Sequence, residues 1–355
     1  MTKKIKVLVV DDSAIVRKIL SDAIAGEKDL EVVGTAPDPF IARDKILALK
    51  PDVLTLDIEM PRMGGLTFLK KLMQYHPLPV IVISSLGQAS CQATLDALRF
   101  GAVEVLAKPG GPYSVGELQV NLASKIRAAA GVRVRRPASA ESPARVEATE
   151  TMSAKPFRSD VVIAIGASTG GTEAISEVLT RMPADTPGIV ITQHIPPVFS
   201  LAFANRLNQT CAMEVKEAAD GDVVMPGRAL IAPGNFHMVL RRSGGTVRVQ
   251  IKDGPQVCYQ RPSVDVMFAS VAETCGPNAI GVILTGMGAD GAQGLLRMKK
   301  AGAITLAQDE ESCVVFGMPR EAIHAGAVDQ TLPLSHMSSA VLKEARNRIS
   351  ARMIS

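Results

Sequence analysis

The sequence has no tryptophan, and aromatic residues make up only 3% of its 355 positions. Proteins that bind single-stranded nucleic acid stack its bases on aromatic side chains, so this shortage argues against such a role. Charge of one sign is also scarce, because the formal net charge is only +4. A protein held on DNA by phosphate contacts carries a concentrated positive charge. Nucleic acid is therefore not an expected partner.

Cysteines and long apolar runs are equally sparse. No two cysteines are spaced as Cys-x-x-Cys, and their number is odd: Cys91, Cys211, Cys258, Cys275 and Cys313. This pattern favours reduced thiols over a disulfide framework or a zinc site. The first apolar run, Val7–Val10, is too short for a signal peptide, and no run approaches the roughly 20 residues that span a bilayer. We therefore expect a cytoplasmic protein that is not inserted in a membrane.

The chain alternates between short apolar runs, typical of buried strands, and segments with a helical apolar stripe. In residues 3–125 five such pairs predict a five-stranded parallel sheet, doubly wound with helices on both faces. Residues 126–157, rich in proline, alanine, serine and charge, predict a flexible linker. Residues 158–350 resume the alternation, and Ser243–Gly245 adds a hairpin signal. The sequence thus predicts a two-domain α/β protein whose second sheet is mostly parallel, with an antiparallel hairpin.

Polar residues follow the strands of the first domain, at the edge where parallel sheets bind ligands. Asp11 and Asp12 follow the first strand, Asp57 ends the third, and Ser84 and Lys108 end the fourth and fifth. Converging carboxylates repel one another unless a cation is bound, and oxygen ligands suit Mg²⁺. Asp57 is then a nucleophile for phosphorus, while Lys108 neutralises the transferred oxygens and Ser84 hydrogen-bonds the phosphoryl group. Any one aspartate alone would more often be a helix cap.

Residues 3–125 resemble the receiver domain of two-component response regulators. The resemblance implies that the carboxylates of Asp12 and Asp57 and the backbone carbonyl of Glu59 bind Mg²⁺, with Asp11 completing the acidic pocket. It also implies that a histidine kinase phosphorylates Asp57. Val105 departs from the pattern, because many members of the family have an aromatic switch residue at this position.

A glycine-rich turn follows the first predicted strand of the second domain. The segment Gly166–Gly170 fits the Gly-x-Ser-x-Gly pattern, with Ser168 as the nucleophile. Backbone amides at the start of the following helix could hold an anionic oxygen. The same glycines would equally serve a tight turn capped by Ser168, or a nucleotide-binding loop. The pentapeptide alone does not decide between these interpretations.

A serine nucleophile needs a base, and the base needs an orienting carboxylate. His194 follows the apolar run Ile189–Thr192 at the end of a strand and leads among the histidines, while His237, in a loop, is a rival. Asp290 follows the predicted strand Ile280–Thr285. The order of serine, histidine and acid differs from that of the α/β-hydrolases, where the acid precedes the histidine. We therefore expect a serine hydrolase on another scaffold.

The second domain looks like the catalytic domain of the chemotaxis protein-glutamate methylesterases. The segments that carry this resemblance are Ile165–Gly171, Gln193–His194, Ala232–His237, Arg261–Asp265 and Leu284–Gly291. The resemblance implies Ser168 as nucleophile, His194 as base and Asp290 as acid, with no cofactor in the hydrolase centre. It further implies the backbone amide of Met287 as an oxyanion donor and Thr169 as a neighbour that supports the histidine.

The resemblance implies a phosphorylation-regulated enzyme that hydrolyses γ-glutamyl methyl esters on chemoreceptors to glutamate and methanol, with receptor glutamine deamidation as a second activity. Methylated chemoreceptors and a histidine kinase are the implied partners, and we expect a monomer. One alternative is a serine esterase of small molecules, which the order of the three residues disfavours. The other is a non-enzymatic response regulator whose second domain binds DNA or nucleotide, which the lack of a phosphate-binding glycine motif disfavours.

Overall fold

The computed structural model describes residues 3–85, 87–108, 115–132 and 160–350. The chain divides into two compact units, Met1–Thr149 and Glu150–Ser355. Each unit has its own sheet and its own cluster of buried apolar side chains. Within the described residues, none of the helices has both the length and the apolar character needed to cross a membrane.

The first unit is a parallel sheet of five strands in the order β2-β1-β3-β4-β5. The strands are β1 (Ile5–Val10), β2 (Leu30–Ala36), β3 (Val53–Asp57), β4 (Val80–Ser84) and β5 (Glu104–Ala107). The helices are α1 (Ala14–Ala25), α2 (Pro39–Leu49), α3 (Gly65–Tyr75), α4 (Gln88–Arg99) and α5 (Val115–Ala130). Every residue of β3 and β4 is buried, as expected for central strands covered on both faces. The predicted doubly wound parallel sheet is confirmed.

The end of α5 differs from the boundary expected for the linker. The helix continues to Ala130, so residues 126–130, which the sequence analysis assigned to the linker, are helical. The apolar pattern of residues 115–130 already indicated a helix of this length, and alanine has the highest helix propensity, so these residues extend α5. Residues 133–157 of the predicted linker lie outside the described residues.

The second unit is built on a parallel sheet of seven strands in the order β14-β13-β12-β6-β7-β9-β8. These are β6 (Val162–Ala167), β7 (Gly188–Gln193), β8 (Glu214–Glu217), β9 (Arg228–Ile231), β12 (Ala279–Ile283), β13 (Ile304–Gln308) and β14 (Gln330–Leu332). The strands β10 (His237–Ser243) and β11 (Thr246–Lys252) form a separate antiparallel hairpin. The helices are α6 (Gly171–Thr180), α7 (Phe199–Thr210), α8 (Val264–Cys275), α9 (Ala292–Lys300), α10 (Met318–His324) and α11 (Leu334–Ser350). The mostly parallel sheet with a hairpin is confirmed.

The start of α8 packs directly on the central strand. A Cβ atom on Gly166 would lie 2.2 Å from Cγ1 of Val264, so only glycine permits this approach of helix to sheet. Phe268, on the same face of α8, is fully buried. This packing brings the N-terminus of α8 to the carboxyl edge of the sheet, where the functional residues lie.

Candidate active site and phosphorylation site

An acidic pocket lies at the carboxyl edge of the first sheet. Single carboxylate oxygens of Asp11, Asp12 and Asp57 lie within 4.8 Å of one another. Lys108 reaches in from the end of β5, with its Nζ 2.6 Å from Oδ2 of Asp57 and 3.5 Å from Oδ2 of Asp11. Asp57 also accepts a hydrogen bond from the amide of Glu59, which fixes the orientation of its carboxylate. The structure therefore brings together the acids that the sequence analysis singled out.

This pocket has the chemistry of a divalent cation site. Burial raises the pKa of Asp57 and of Asp11 above their ordinary values, and hydrogen bonding and charge from Lys108 only partly offset that rise. Oδ2 of Asp11 is buried and has no hydrogen-bond partner. Burial lowers the pKa of Lys108, but its two carboxylate neighbours outweigh this and leave the pKa raised. Hard oxygen donors gathered in this way fit a divalent cation.

A chain of hydroxyl groups links this pocket to α4. The Ser84 hydroxyl is buried and accepts a hydrogen bond of 2.9 Å from Oγ1 of Thr94, on α4. The Glu59 carboxylate accepts hydrogen bonds from Ser85 and Ser90, and these lower its pKa. Thr94 and Ser90 carry no sequence motif, so the sequence analysis did not identify them. Only the packing of α4 on β4 shows their role.

In the second unit the nucleophile and base candidates lie at the ends of neighbouring strands. Ala167 of β6 pairs with Gln193 of β7, so the residues that follow, Ser168 and His194, are next to one another at the carboxyl edge. The amide of His194 donates to the carbonyl of Ala167. Nε2 of Gln193 donates to the carbonyls of both Ser168 and His194, at 2.8 and 3.2 Å. Gln193 therefore holds the two turns in a fixed relation.

His194 and Asp290 form a buried hydrogen-bonded pair. Nε2 of His194 lies 2.7 Å from Oδ2 of Asp290, and their side chains are 3% and 2% exposed. Nδ1 of His194 is buried and has no hydrogen-bond partner. A carboxylate can only accept, so Nε2 carries the proton and Nδ1 of the neutral ring keeps its lone pair. The unpaired nitrogen is thus free to take a proton.

The N-terminus of α8 holds the Asp290 carboxylate. Oδ1 accepts from the Ser263 hydroxyl at 2.8 Å and the Asp265 amide at 3.0 Å, and Oδ2 accepts from the Val264 amide at 2.7 Å. Burial alone would raise the pKa of Asp290, but the His194 ring and these donors overcome it and leave the pKa lowered. A helix N-terminus attracts negative charge in the same way. Asp290 is therefore an ionised carboxylate in a fixed position.

Sequence reasoning assigned no such role to Ser263. The residue is the N-cap of α8, where its hydroxyl also accepts from the amide of Val266. A serine directly before an apolar helical stripe is a recognisable cap signal. That signal predicts the start of a helix, but it does not reveal that the helix points at Asp290.

His237, the rival base, has both ring nitrogens engaged. Nδ1 accepts from the amide of Ser263 at 3.2 Å, so Nε2 carries the proton and donates to the carbonyl of Pro255 at 2.9 Å. The ring is buried, with the residue 5% exposed. The structure therefore gives His237 a place in supporting the turn before α8, and it leaves no lone pair for a proton from a serine.

The Met287 turn lies against Ser168. The amide of Ser168 donates to the carbonyl of Thr285, and a Cβ atom on Gly286 would lie only 2.8 Å from Cβ of Ser168. Met287 is the next residue along the chain, so its backbone amide is close to the serine. Thr169 follows the serine and is 2% exposed, and its carbonyl accepts from Oγ1 of Thr285. Glycine is needed at position 286 because a side chain there would collide with Ser168.

Comparison with known protein families gives a match for each unit. Residues 163–341 match the CheB methylesterase family, and residues 7–117 match the response regulator receiver domain.

Similar proteins extend over nearly the whole chain. A protein-glutamate methylesterase/protein-glutamine glutaminase of Syntrophus aciditrophicus is 59% identical over 342 residues, which cover 96% of this chain and 99% of that protein. One of Salmonella typhi is 52% identical over 342 residues, covering 96% of each chain. The crystal structure of the Thermotoga maritima CheB methylesterase catalytic domain is 38% identical with a TM-score of 0.51, and it covers 52% of this chain and 97% of that one.

Proposed function

The chain belongs to the CheB methylesterase family, with a receiver domain preceding the catalytic domain, and we propose that Ser168, His194 and Asp290 hydrolyse glutamyl methyl esters on chemoreceptors. The observation that carries the assignment is the ring of His194. One nitrogen is hydrogen-bonded to an ionised carboxylate, and the other is unpaired beside the end of β6, which Ser168 directly follows. That is the arrangement a general base needs.

The reaction begins with proton transfer from Ser168 to His194. Nδ1 of His194 takes the proton as the Ser168 oxygen attacks the ester carbonyl carbon and the carbonyl π electrons move to the oxygen. The backbone amide of Met287 donates to the resulting oxyanion. When the tetrahedral intermediate collapses, the C–O bond to the methoxy group breaks and Nδ1 returns the proton, so methanol leaves. The product of this half-reaction is a glutamyl ester of Ser168.

Water completes the cycle by the same route. His194 takes a proton from water, the hydroxyl adds to the acyl carbon, and the Ser168 oxygen leaves with the proton from Nδ1. Asp290 keeps the proton on Nε2 and stabilises the imidazolium that forms twice in each turnover. A glutamine side chain can enter the same cycle, and ammonia then leaves in place of methanol. This accounts for glutaminase as the second activity.

The first unit supplies the control. Asp57 is the phosphorylation site, with a histidine kinase as phosphodonor. The carboxylates of Asp12 and Asp57 and the carbonyl of Glu59 would hold Mg²⁺, with Asp11 alongside, and the ion would neutralise charge on the transferred phosphoryl group. Lys108 pairs with another of its oxygens, and Ser84 turns its hydroxyl toward it. The methylated helices of receptors are cytoplasmic, and this supports a cytoplasmic location as part of the proposal.

The test is release of methanol from radiolabelled methylated receptors in membranes. Wild type and Ser168→Ala are compared, each with and without an acyl-phosphate donor and Mg²⁺. We expect release that rises with the donor in wild type and is absent in Ser168→Ala. Folded wild-type protein that releases no methanol but cleaves small esters would favour the small-molecule esterase instead.

A further inference from the structure

Several large apolar side chains are exposed on the loops, and on the first turn of α7, near the catalytic centre of the second unit. Leu201, Phe236 and Tyr259 are 44%, 42% and 79% exposed. Val198 and Val314 are 38% and 39% exposed. Exposed apolar groups gathered around one site, rather than scattered singly, mark a surface that another molecule covers. These five are called the rim residues below.

Two of the loops are tied together beside His194. Val198 follows His194 by a few residues and Leu201 lies in the first turn of α7, on the same connection. A Cβ atom on Gly234 would lie 2.5 Å from the backbone nitrogen of Pro197, and the Gly234 amide donates to the Ser200 hydroxyl. Phe236 is therefore held next to the loop that carries Val198.

The other two loops, which carry Tyr259 and Val314, lie on further sides of the catalytic centre. The amide of Asn235 donates to the carbonyl of Arg261, and the Arg261 guanidinium donates back to Oδ1 of Asn235. Tyr259 lies in the turn that Arg261 follows, just before the N-terminus of α8. On the opposite side, a Cβ atom on Gly170 would lie 2.6 Å from Cβ of Val314, which places Val314 over the serine turn. The rim residues thus surround the catalytic residues.

The rim loops also hold unfavourable backbone conformations. In the described part of the chain, four of the six non-glycine residues with positive φ lie there: Val198, Asn235, Cys258 and Tyr259, at 74, 67, 51 and 62°. For a β-branched residue such as Val198 this conformation is a marked outlier. Such strain persists only where the surroundings fix it, and it clusters at ligand-binding sites. The exposed positions of Val198 and Tyr259 are therefore imposed by the fold.

We propose that the rim residues dock the receptor helix surface around the esterified glutamate, an inference that rests on the proposed function. Ser168 is only 5% exposed, so a short side chain reaches it only when the helix that bears it lies against the rim. No rim side chain carries a charge, so the rim suits the neutral ester. Hydrolysis leaves a carboxylate beside the same apolar surface, where it loses hydration, and this favours release of the product.

The experiment uses the full chain with Leu201→Ser, Phe236→Ser and Tyr259→Ser combined. Methanol release from methylated receptor membranes is measured with phosphodonor, alongside hydrolysis of p-nitrophenyl acetate. We expect KM for receptors to rise about tenfold or more, as for the loss of a few apolar interface contacts, and turnover of the small ester to stay unchanged. Met225→Ser is the matched control, because Met225 is 42% exposed but lies beside Gly188, where β7 begins, at the opposite edge of the sheet. Met225→Ser should change neither KM for receptors nor the turnover of the small ester.

An unchanged KM for receptors in the triple variant would overturn the docking role. So would a loss of small-ester turnover, because a docking surface takes no part in the chemistry. Higher receptor activity without phosphodonor, together with an unchanged KM for receptors when phosphodonor is present, would mean that the rim contacts the receiver of the same chain and not the receptor. Failure of the proposed function is distinguishable, because wild-type protein would then cleave the small ester and release no methanol from receptors.

Discussion

The two buried histidines of the second unit differ in what their ring nitrogens can do. Sequence position favoured His194, which directly follows β7, but it did not exclude His237, which is the first residue of β10. The hydrogen bonds separate them: Nδ1 of His194 is unpaired, while both nitrogens of His237 are engaged. Assignment of a base therefore depends on the partners of each atom, which only the folded structure supplies.

This difference gives a prediction about paired variants. His194→Gln should lower kcat by about 10⁶-fold, because in comparable triads loss of the histidine alone costs about as much as loss of all three members. His237→Gln should keep kcat within about tenfold of wild type, since an amide can still donate to Pro255 and the cost is that of a repositioned hydrogen bond. Steady-state kinetics on methylated receptors checks both. Equal losses of kcat in the two variants would contradict the assignment.

Asp290 gives a prediction about pH and stability. Its pKa is lowered from the ordinary 3.8, so the ionised carboxylate stabilises the folded unit above that pH and the stabilisation is lost as pH falls through the folded-state pKa. Asp290→Asn should cost about 2 kcal/mol of unfolding free energy at pH 7, where it removes charged hydrogen bonds. The difference in unfolding free energy between Asp290→Asn and wild type should become smaller towards pH 3.

Urea unfolding across this pH range measures the effect. Asp185→Asn, at an exposed position, is the control and should follow wild type throughout. A gap between Asp290→Asn and wild type that stays constant with pH would show that the ionised carboxylate is not the source of the stabilisation.

At the level of elements, helix α8 joins stability to catalysis. Ser263 caps the helix and donates to Asp290. Ser263→Ala should therefore cost about 1 kcal/mol, as for loss of an N-cap, and should also lower kcat because Asp290 loses a donor. Ser13→Ala is the matched control, since Ser13 caps α1 of the first unit in the same way. Ser13→Ala should lower stability by a similar amount and leave small-ester turnover unchanged. Thermal unfolding and steady-state kinetics on both variants test this prediction.

The contact between β4 and α4 gives a prediction about activation. Thr94→Val keeps the shape of the side chain and removes its hydrogen bond to the Ser84 hydroxyl. That hydroxyl then keeps only the bond it donates to the carbonyl of Ser85, so it turns more readily toward a phosphoryl group. Loss of a hydrogen bond of about 1 kcal/mol changes the equilibrium between the two orientations of the Ser84 hydroxyl by about fivefold. We expect half-maximal activation at a several-fold lower concentration of acyl phosphate, measured by methanol release.

Thr55→Val is a stringent control for this variant. The Thr55 hydroxyl is also buried but has no hydrogen-bond partner, and Thr55 lies in β3 close to Asp57. Removal of the Thr55 hydroxyl should leave unchanged the concentration of acyl phosphate that gives half-maximal activation. If both variants shift the curve alike, the effect comes from changed packing and not from the bond to Ser84.

The sequence predicted central strands better than edge strands. Strands β6, β7, β12 and β13 are apolar because both faces are covered, and their apolar runs predicted them. Strands β8 and β14 lie at the two edges, carry polar residues and are short, so no apolar run marked them. The site follows the same pattern. The ends of the apolar central strands predicted Ser168, His194 and Asp290. Contacts made by helices, such as those of Ser263 and Thr94, depend on packing angles that sequence spacing does not contain.

At the level of the whole molecule, separate cores allow the units to be tested apart. All residues proposed for hydrolysis lie in the second unit, so the receiver can act only on access to them or on their arrangement. If the resting receiver obstructs the centre, residues 158–350 expressed alone should release methanol faster than the resting full chain. Full-length Asp57→Asn should remain at the resting rate when phosphodonor is added. Equal rates for the isolated unit and the resting chain would exclude obstruction.

The order of strands in the second sheet also bears on how the enzyme is made. The central strand β6 pairs with β7, which follows closely, and with β12, which is synthesised much later. Contacts so distant in sequence form slowly, and a growing chain folds from its N-terminal side first. Ser168 and His194 therefore leave the ribosome well before Asp290 and α8. Incomplete translation products carry a nucleophile without its acid, so premature termination yields inert fragments and not an unregulated esterase.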